Sequence, residues 1–472
     1  MRNPTHVNSC GSVRQIAIVS MASPGEEIPA SADGVTSSWL SSVLGCPVVV
    51  ESCSRATDAW HMGQAVRVAI TPSDTRPPAA GLPLAGVASL VVKLAPDDAS
   101  TCTDAARKKL LRDIIAREAA FFSSVGAALS TAAPPVQACL PQLYVPPLLS
   151  DDGLRTALVM QDLSHTRKLS VTDAVTGFTA EGAEAAVRAL GVFHAASALV
   201  GPASIGSYSP GKWNDAEDRL VFASPDTETF VAGFKALPGA TPDFVAAMRA
   251  SCEHAAWFRE KCSPGGVPIM THGDYKADNV FVGPCAKAEA GAGAGSAVII
   301  DWQMYRWGSP LAAAADLTQV LTVSMDTELR RQHEKKLVAA YCEAFSTTVR
   351  DHGTHGGESS SDAACVAGSA AETVGSGAGG AGAGTHGVEG DVEDGGTHVL
   401  LRSAADPDVV WNNVRLSLVW KFIQMACMTG SLDAIPDNYA RLARAVVDRC
   451  GAAAADWDLV GVLNATVPAP ES

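Results

Sequence analysis

The stretch THGDYKADNVFV, residues 271–282, decides how the rest of the chain is read. It sets a histidine, two aspartates, a lysine and an asparagine within His272 to Asn279, then runs straight into apolar, strand-like residues. His272, Asp274 and Asn279 make the pattern HxDxxxxN, and a second apolar piece further on ends as VIIDW with Asp301. A phosphoryl transferase needs a carboxylate to orient and deprotonate an attacking hydroxyl, and oxygen ligands to hold Mg²⁺ against the β- and γ-phosphates. Asp274 suits the first task. Asn279 at the other end of the same loop, and Asp301 returned by a hairpin, suit the second, because magnesium takes one or two carboxylates plus substrate phosphates.

Between those two pieces lies AKAEAGAGAGSA, residues 286–297, which reads as an extended hairpin loop and accounts for the wide gap from Asn279 to Asp301. The tripeptide THG recurs at 354 and 385 and carries nothing by itself. Only the first copy is followed by the aspartate and the asparagine.

Working outward, residues 38–160 read as a small α+β lobe. Its strands are PVVVE (47–51), AVRVAI (65–70), SLVVKLA (89–95) and TALVMQ (156–161). A helix at 103–124 carries Leu111, Ile114, Ile115 and Phe122 on the stripe expected of a face laid on a sheet. The remainder is mostly helical, with helices near 181–200 and 335–349 and two more within 406–450. Lys93 sits in the middle of a Val/Leu strand, where an ammonium must be aimed at something polar, and Glu118 on the next helix is a natural partner. The nearby Arg112 and Arg117 compete for that glutamate.

With HGDYKADNVFV, VIIDWQMYRWGSPLAAAADLTQVL and this order of lysine strand, glutamate helix and catalytic loop in view, the chain resembles the aminoglycoside phosphotransferase superfamily, most closely its ecdysteroid-kinase-like, choline-kinase-like branch. The resemblance implies a bilobal protein-kinase-like fold, with a small N-terminal β-sheet lobe bearing one helix and a larger, mainly helical C-terminal lobe. It implies ATP and Mg²⁺ as cofactors and a small-molecule hydroxyl as acceptor. Lys93 would contact the α- and β-phosphates, Glu118 would hold Lys93, and MQDLS (160–164) would be the adenine hinge through backbone groups of Met160, Gln161 and Asp162. His272 would bond backbone near Asp301, and Asp316 would brace the catalytic loop unless it is a helix N-cap. His194 reads as a satisfied core histidine.

The expected organisation is a disordered N-terminus at 1–29, a nucleotide-binding lobe at 30–160, a catalytic lobe at 161–350, a disordered Gly/Ala-rich insertion at 351–399, and closing helices at 400–472. Eight acids without a base lie between Asp351 and Thr397, so over half of the net charge of −15 falls in that insertion. The net charge argues against a nucleic-acid partner. The apolar window at 417–432 is broken by Lys421, so no membrane span is expected. Scattered cysteines suit a reducing, cytoplasmic setting, although the acid-free first 25 residues weakly resemble a transit peptide. The phosphate-covering loop SCSRATDAWHMGQ (52–64) departs from the glycine-rich pattern, with Gly63 as its single glycine and Ser54 or Thr57 as substitutes. That departure keeps a pseudokinase-type binding module as the alternative. HGD in place of HRD and DWQ in place of DFG set the chain apart from protein kinases.

Overall fold

The computed structural model describes residues 27–56, 63–72, 86–96, 103–205, 240–264, 267–283, 297–353, 404–429 and 437–467, with a few isolated positions between these spans. Residues 1–26, most of the insertion expected at 351–399, Thr57, Trp213 and the loop inside 286–297 lie outside the described residues.

The N-terminal part opens with helix α1 (Ser37–Leu44), capped by the Thr36 hydroxyl, which accepts the Trp39 amide. An antiparallel sheet follows, built from β1 (Val48–Arg55), β2 (Gln64–Pro72), β3 (Ser89–Leu94), β4 (Leu148–Leu149) and β5 (Thr156–Gln161) in the order β1-β2-β3-β5-β4. A bulge between Val50 and Ser52 lets β1 run four residues past the expected strand. One sheet face packs Val66, Val68, Leu90, Val92 and Val159 against Trp39, Leu40 and Leu44 of α1.

Helix α2 (Ala105–Ala120) crosses the other face with Leu111, Ile114 and Ile115 buried, as its apolar stripe requires. Where a straight helix to 124 is expected, the chain widens into a π turn at Phe121–Val125 before α3 (Gly126–Ala132). The Ser123 and Ser124 hydroxyls donate to the Ala119 and Ala120 carbonyls at 2.7 and 3.0 Å, the local competition that loosens a helix at such serines. Two short helices, α4 (Pro135–Ala138) and α5 (Leu163–Thr166), lead into and out of the edge of the sheet.

The helical part holds α6 (Ala180–Val200), α7 (Pro242–Glu253), α8 (Ala255–Cys262), α9 (Pro310–Val323), α10 (Thr327–His352), α11 (Pro407–Thr429), α12 (Asp437–Asp456) and α13 (Leu459–Thr466). α10 starts earlier than periodicity indicates because Asp326 caps it, accepting from the Glu328 and Leu329 amides. Helix α6 runs along α10, and α11 lies along α9. Among the described residues α6 alone is long and apolar enough to cross a membrane, and most of it is buried in the core.

Two small sheets are set into these helices. β7 (Ile269–Thr271) pairs with β10 (Arg306–Gly308), while β6 (Ser170–Val171), β8 (Val280–Val282) and β9 (Ala297–Ile299) form the other in that order. The β8–β9 pairing, Val280 opposite Ile299 and Val282 opposite Ala297, is the hairpin that carries the chain from Asn279 towards Asp301. Of the tryptophans in this half, Trp302, Trp307, Trp420 and Trp457 are buried in packing.

Candidate active site

The loop from β7 to β8 is held from behind by α9. Ser309 caps that helix by accepting the Ala312 amide, and Asp316, two turns in and fully buried, is therefore no cap. Its carboxylate accepts the His272 amide at 2.6 Å and the Gly273 amide at 2.9 Å. Gly273 can offer its amide because it adopts φ +85, and any Cβ there would collide with the Met304 carbonyl. His194 on α6 closes the back of this network. Its Nε2 lies 3.3 Å from Asp316 Oδ2, and its Nδ1 accepts from the Tyr341 hydroxyl at 2.9 Å.

His272 spans the loop. Its Nε2 donates to the Ile300 carbonyl at 2.8 Å, and its Nδ1 accepts the Asp274 amide at 3.3 Å. The imidazole thus ties the residue beside Asp301 to the residue bearing the candidate base.

Asp274 keeps 31% of its side chain exposed and receives Lys276 Nζ at 2.6 Å and Asn279 Nδ2 at 3.1 Å. Burial works against its charge, but Lys276 and then Lys421 outweigh that, so its pKa falls below the ordinary carboxylate value. Asn279 also donates to the Asp274 carbonyl at 2.8 Å, which fixes the amide so that Oδ1 is the atom left over. That oxygen is buried with no hydrogen-bond partner. An unsatisfied carbonyl-type oxygen is costly in a dry site and is the donor a hard cation takes up.

Lys93 on β3 reaches Glu118 Oε1 at 2.7 Å and Asp301 Oδ1 at 2.5 Å. This pair of contacts joins the sheet, α2 and the end of the hairpin at one ammonium. Burial opposes its charge, but Asp301 and Glu118 together raise its pKa. Glu118 is pushed up by burial and pulled back by Lys93, and it also accepts the Trp302 amide at 3.3 Å. Arg117 donates to the Gln303 carbonyl, and Arg112 to the Asp152 carbonyl.

Asp301 stands at φ +66, left-handed backbone that is uncommon outside glycine and concentrates at functional sites. Gln303 Nε2 donates to its Oδ1 at 2.6 Å. Asp301 and Asn279 are joined through backbone as well, since the Ile300 amide donates to the Asn279 carbonyl at 3.0 Å. No group of three or more His, Cys, Asp or Glu side chains is arranged to hold a metal by itself among the described residues. Asn279 Oδ1 and the Asp301 carboxylate are oxygens of the kind that magnesium takes, and the rest of its ligands would come from phosphate and water.

At the expected hinge, Met160 sits opposite Val91 of β3. The Gln161 amide already donates to the Gln142 carbonyl at 2.9 Å, and the Asp162 carbonyl accepts the Thr166 amide, so those two groups are engaged within the protein. The buried Asp162 carboxylate caps α5 and receives Ser89 Oγ at 2.7 Å and Arg67 Nε at 2.9 Å. Its side chain therefore holds the hinge to β2 and β3. Ser89 and Arg67 were not legible as its partners in the sequence, and neither was Gln303 beside Asp301. Ser89 and Arg67 belong to no motif, and Gln303, the third residue of DWQ, entered the sequence reading only as a departure from DFG. Gly63, at the end of the loop expected to cover phosphate, packs so closely that a Cβ would lie 2.8 Å from the Leu94 carbonyl and 3.7 Å from Lys93 Cε.

The profile of the ecdysteroid kinase-like family matches residues 85–354, more than half of the chain. The chain belongs to the ecdysteroid kinase-like family. The matched span runs from the start of the lysine strand through the catalytic loop and Asp301 to the end of α10. Comparison with curated protein sequences returns no match. Solved structures similar to this ecdysteroid kinase-like chain include a microcompartment-associated aminopropanol kinase, 10% identical, covering 87% of this chain and 94% of that one with a TM-score of 0.39. A choline kinase from Cryptosporidium parvum Iowa II is 8% identical, covering 91% and 96% with a TM-score of 0.42. An amicoumacin kinase solved with AMP-PNP and Ca²⁺ is 10% identical, covering 85% and 88% with a TM-score of 0.36.

Proposed function

We propose that this chain transfers the γ-phosphoryl group of ATP to a hydroxyl of a small molecule. The observation that carries the proposal is the meeting of Lys93, Glu118 and Asp301 at one ammonium, beside a loop that presents Asp274 and the unsatisfied Oδ1 of Asn279. Lys93 would pair with nucleotide phosphates when Asp301 holds a metal, and Glu118 would keep the lysine charged and aimed.

The acceptor oxygen forms a bond to the γ-phosphorus while the bond from that phosphorus to the β–γ bridging oxygen breaks, and ADP departs. The hydroxyl proton passes to the Asp274 carboxylate. Because Lys276 and Lys421 lower its pKa, Asp274 is a weak base at neutral pH, suited to orienting the hydroxyl and accepting its proton late. Magnesium, held by Asn279 Oδ1 and Asp301, would neutralise charge on the β- and γ-phosphates. The loop near Gly63 would cover those phosphates.

Calorimetric titration of ATP with and without Mg²⁺ into wild type and Asp301→Asn tests the reading. Magnesium-dependent binding that weakens in the variant supports it. Absence of nucleotide binding in both proteins, each folded by circular dichroism, would replace it with a binding module of the pseudokinase type.

A further inference from the structure

Asp316 is a fully buried carboxylate, and such a group is costly unless hydrogen bonds meet it. The His272 and Gly273 amides supply two of them. Among the described residues one side chain bonds to it, the equally buried His194 of α6, whose Nε2 lies 3.3 Å from the same Oδ2 that takes the His272 amide. A carboxylate accepts and cannot donate, so Nε2 carries the ring proton and Nδ1 is left to accept. The Tyr341 hydroxyl of α10 meets that need at 2.9 Å, and burial pushes its pKa well above the ordinary tyrosine value, which keeps it a donor.

The approach of α10 to α6 at this level depends on Gly191. A Cβ there would lie 2.6 Å from the Tyr341 carbonyl and 3.1 Å from Ala344 Cβ. Glycine weakens a helix interior, and here its missing side chain leaves the room in which Tyr341 reaches His194.

From His194 the connection runs on to the chemistry. Because Asp316 Oδ2 takes both His194 and the His272 amide, a turn of the carboxylate would disturb both bonds together. The His272 imidazole in turn accepts the Asp274 amide at 3.3 Å and donates to the Ile300 carbonyl at 2.8 Å. A continuous path of hydrogen bonds and loop backbone thus leads from α10, through α6 and α9, to the candidate base and to the residue before Asp301. A histidine that only fills space could give way to an apolar ring of like size, with any loss spread over the core. One that orients Asp316 could not.

We propose that His194, backed by Tyr341, is a positioning residue: it fixes the rotation of the Asp316 carboxylate and, through it, the loop backbone that presents Asp274. The catalytic consequence rests on the phosphotransferase reading, whereas the hold on the loop does not. His194 touches no reacting atom and acts only through Asp316.

Hydrogen–deuterium exchange of the full chain, read by mass spectrometry on a peptide covering residues 271–275, tests the hold on the loop. His194→Phe should speed exchange there by about 10–100-fold, as expected for losing a hydrogen bond to a charged group, while peptides from α6 and α10 change far less. Tyr341→Phe should act in the same direction by about 3–10-fold. Glutamine can place an amide nitrogen near the position of Nε2, so His194→Gln should recover most of the protection. Hydrolysis of ATP with Mg²⁺, water serving as acceptor, should slow in His194→Phe by a factor similar to the exchange effect, with the Kd for ATP from calorimetry unchanged, and should recover in His194→Gln.

The proposal is overturned if exchange at 271–275 is unchanged in His194→Phe. In that case Asp316 and Gln319, whose Nε2 donates to the Gly273 carbonyl at 3.2 Å, hold the loop without it. It is equally overturned if exchange rises evenly through α6, α10 and the loop with a fall in Tm, or if His194→Gln behaves as His194→Phe, since the histidine is then core packing alone. ATP hydrolysis at the wild-type rate in a folded His194→Phe protein also overturns it. If His194→Phe does not fold, Tyr341→Phe, which removes a single oxygen, decides between the same outcomes. A wild type that neither binds nor hydrolyses ATP removes the phosphotransferase reading, and the exchange result then still decides whether His194 holds the loop.

Discussion

At the scale of single residues, the site depends on which charges are paired and which are not. Asp274 is partly exposed and held by Lys276 and Asn279, so replacing it removes little packing. Asp274→Ala should lower kcat by about 10²–10⁴-fold while leaving the fold intact. Single-turnover phosphate transfer at an undiminished rate in that variant would remove Asp274 from the mechanism. Lys421 makes a different prediction, one of stability. Its folded-state pKa is depressed to about 7 from 10.5, so between those values the unfolded chain binds the extra proton. Stability therefore rises with pH across that window, by at most about 1.4 kcal/mol per pH unit. Urea unfolding of wild type and Lys421→Met at several pH values should show the difference between them shrinking from pH 7 to 10.

At the scale of elements, the catalytic loop is shaped by its neighbours more than by its own sequence. Asp316 lies inside α9, outside the loop, yet it accepts two of the loop's amides, and the turn at Gly273 exists because those amides point back at it. Asp316→Asn keeps the volume but turns a pure acceptor into a group with donors facing donors. It should cost about 1–3 kcal/mol in unfolding free energy, and kcat should fall further than the unfolded fraction explains. A variant with wild-type kcat and wild-type stability would mean the brace is dispensable. Most elements were legible because periodicity 2 and 3.6 are local signals. The strands at 65–70, 89–95 and 156–161 and the helix at 181–200 lie where the pattern put them. The π turn at Phe121–Val125 was not legible, since serines within an apolar run leave the pattern unchanged while altering the hydrogen bonding.

At the scale of the whole molecule, Lys93, Glu118 and Asp301 come from three elements, and their meeting spans the sheet and the helical part. A ligand that engages both sides should stabilise the chain as a unit. ATP with Mg²⁺ at about 100 times its Kd should add about 2.7 kcal/mol, visible as a rise in Tm that Lys93→Met abolishes. A nucleotide that raises Tm equally in both proteins would bind elsewhere. The composition of residues 353–396 supports a second expectation, that replacing them with a short Gly/Ser linker leaves Tm unchanged. A large fall in Tm would show that the segment contributes to the packed core.

The sequence by itself determined the fold class and the order of most elements, and it nominated the groups at the candidate site, because hydrophobic periodicity and the spacing from His272 to Asn279 are properties of short stretches of chain. Only the tertiary structure decided what those groups do to one another. Glu118 meets Lys93, while Arg112 and Arg117 each donate to a backbone carbonyl. Asp162 turns its carboxylate to Ser89 and Arg67, and Lys421, which in the sequence does no more than interrupt an apolar helix, comes within electrostatic reach of Asp274. Each of these depends on residues dozens to hundreds of positions apart. Electrostatic partners at such separations are set by how helices and sheets stack, which no local pattern encodes.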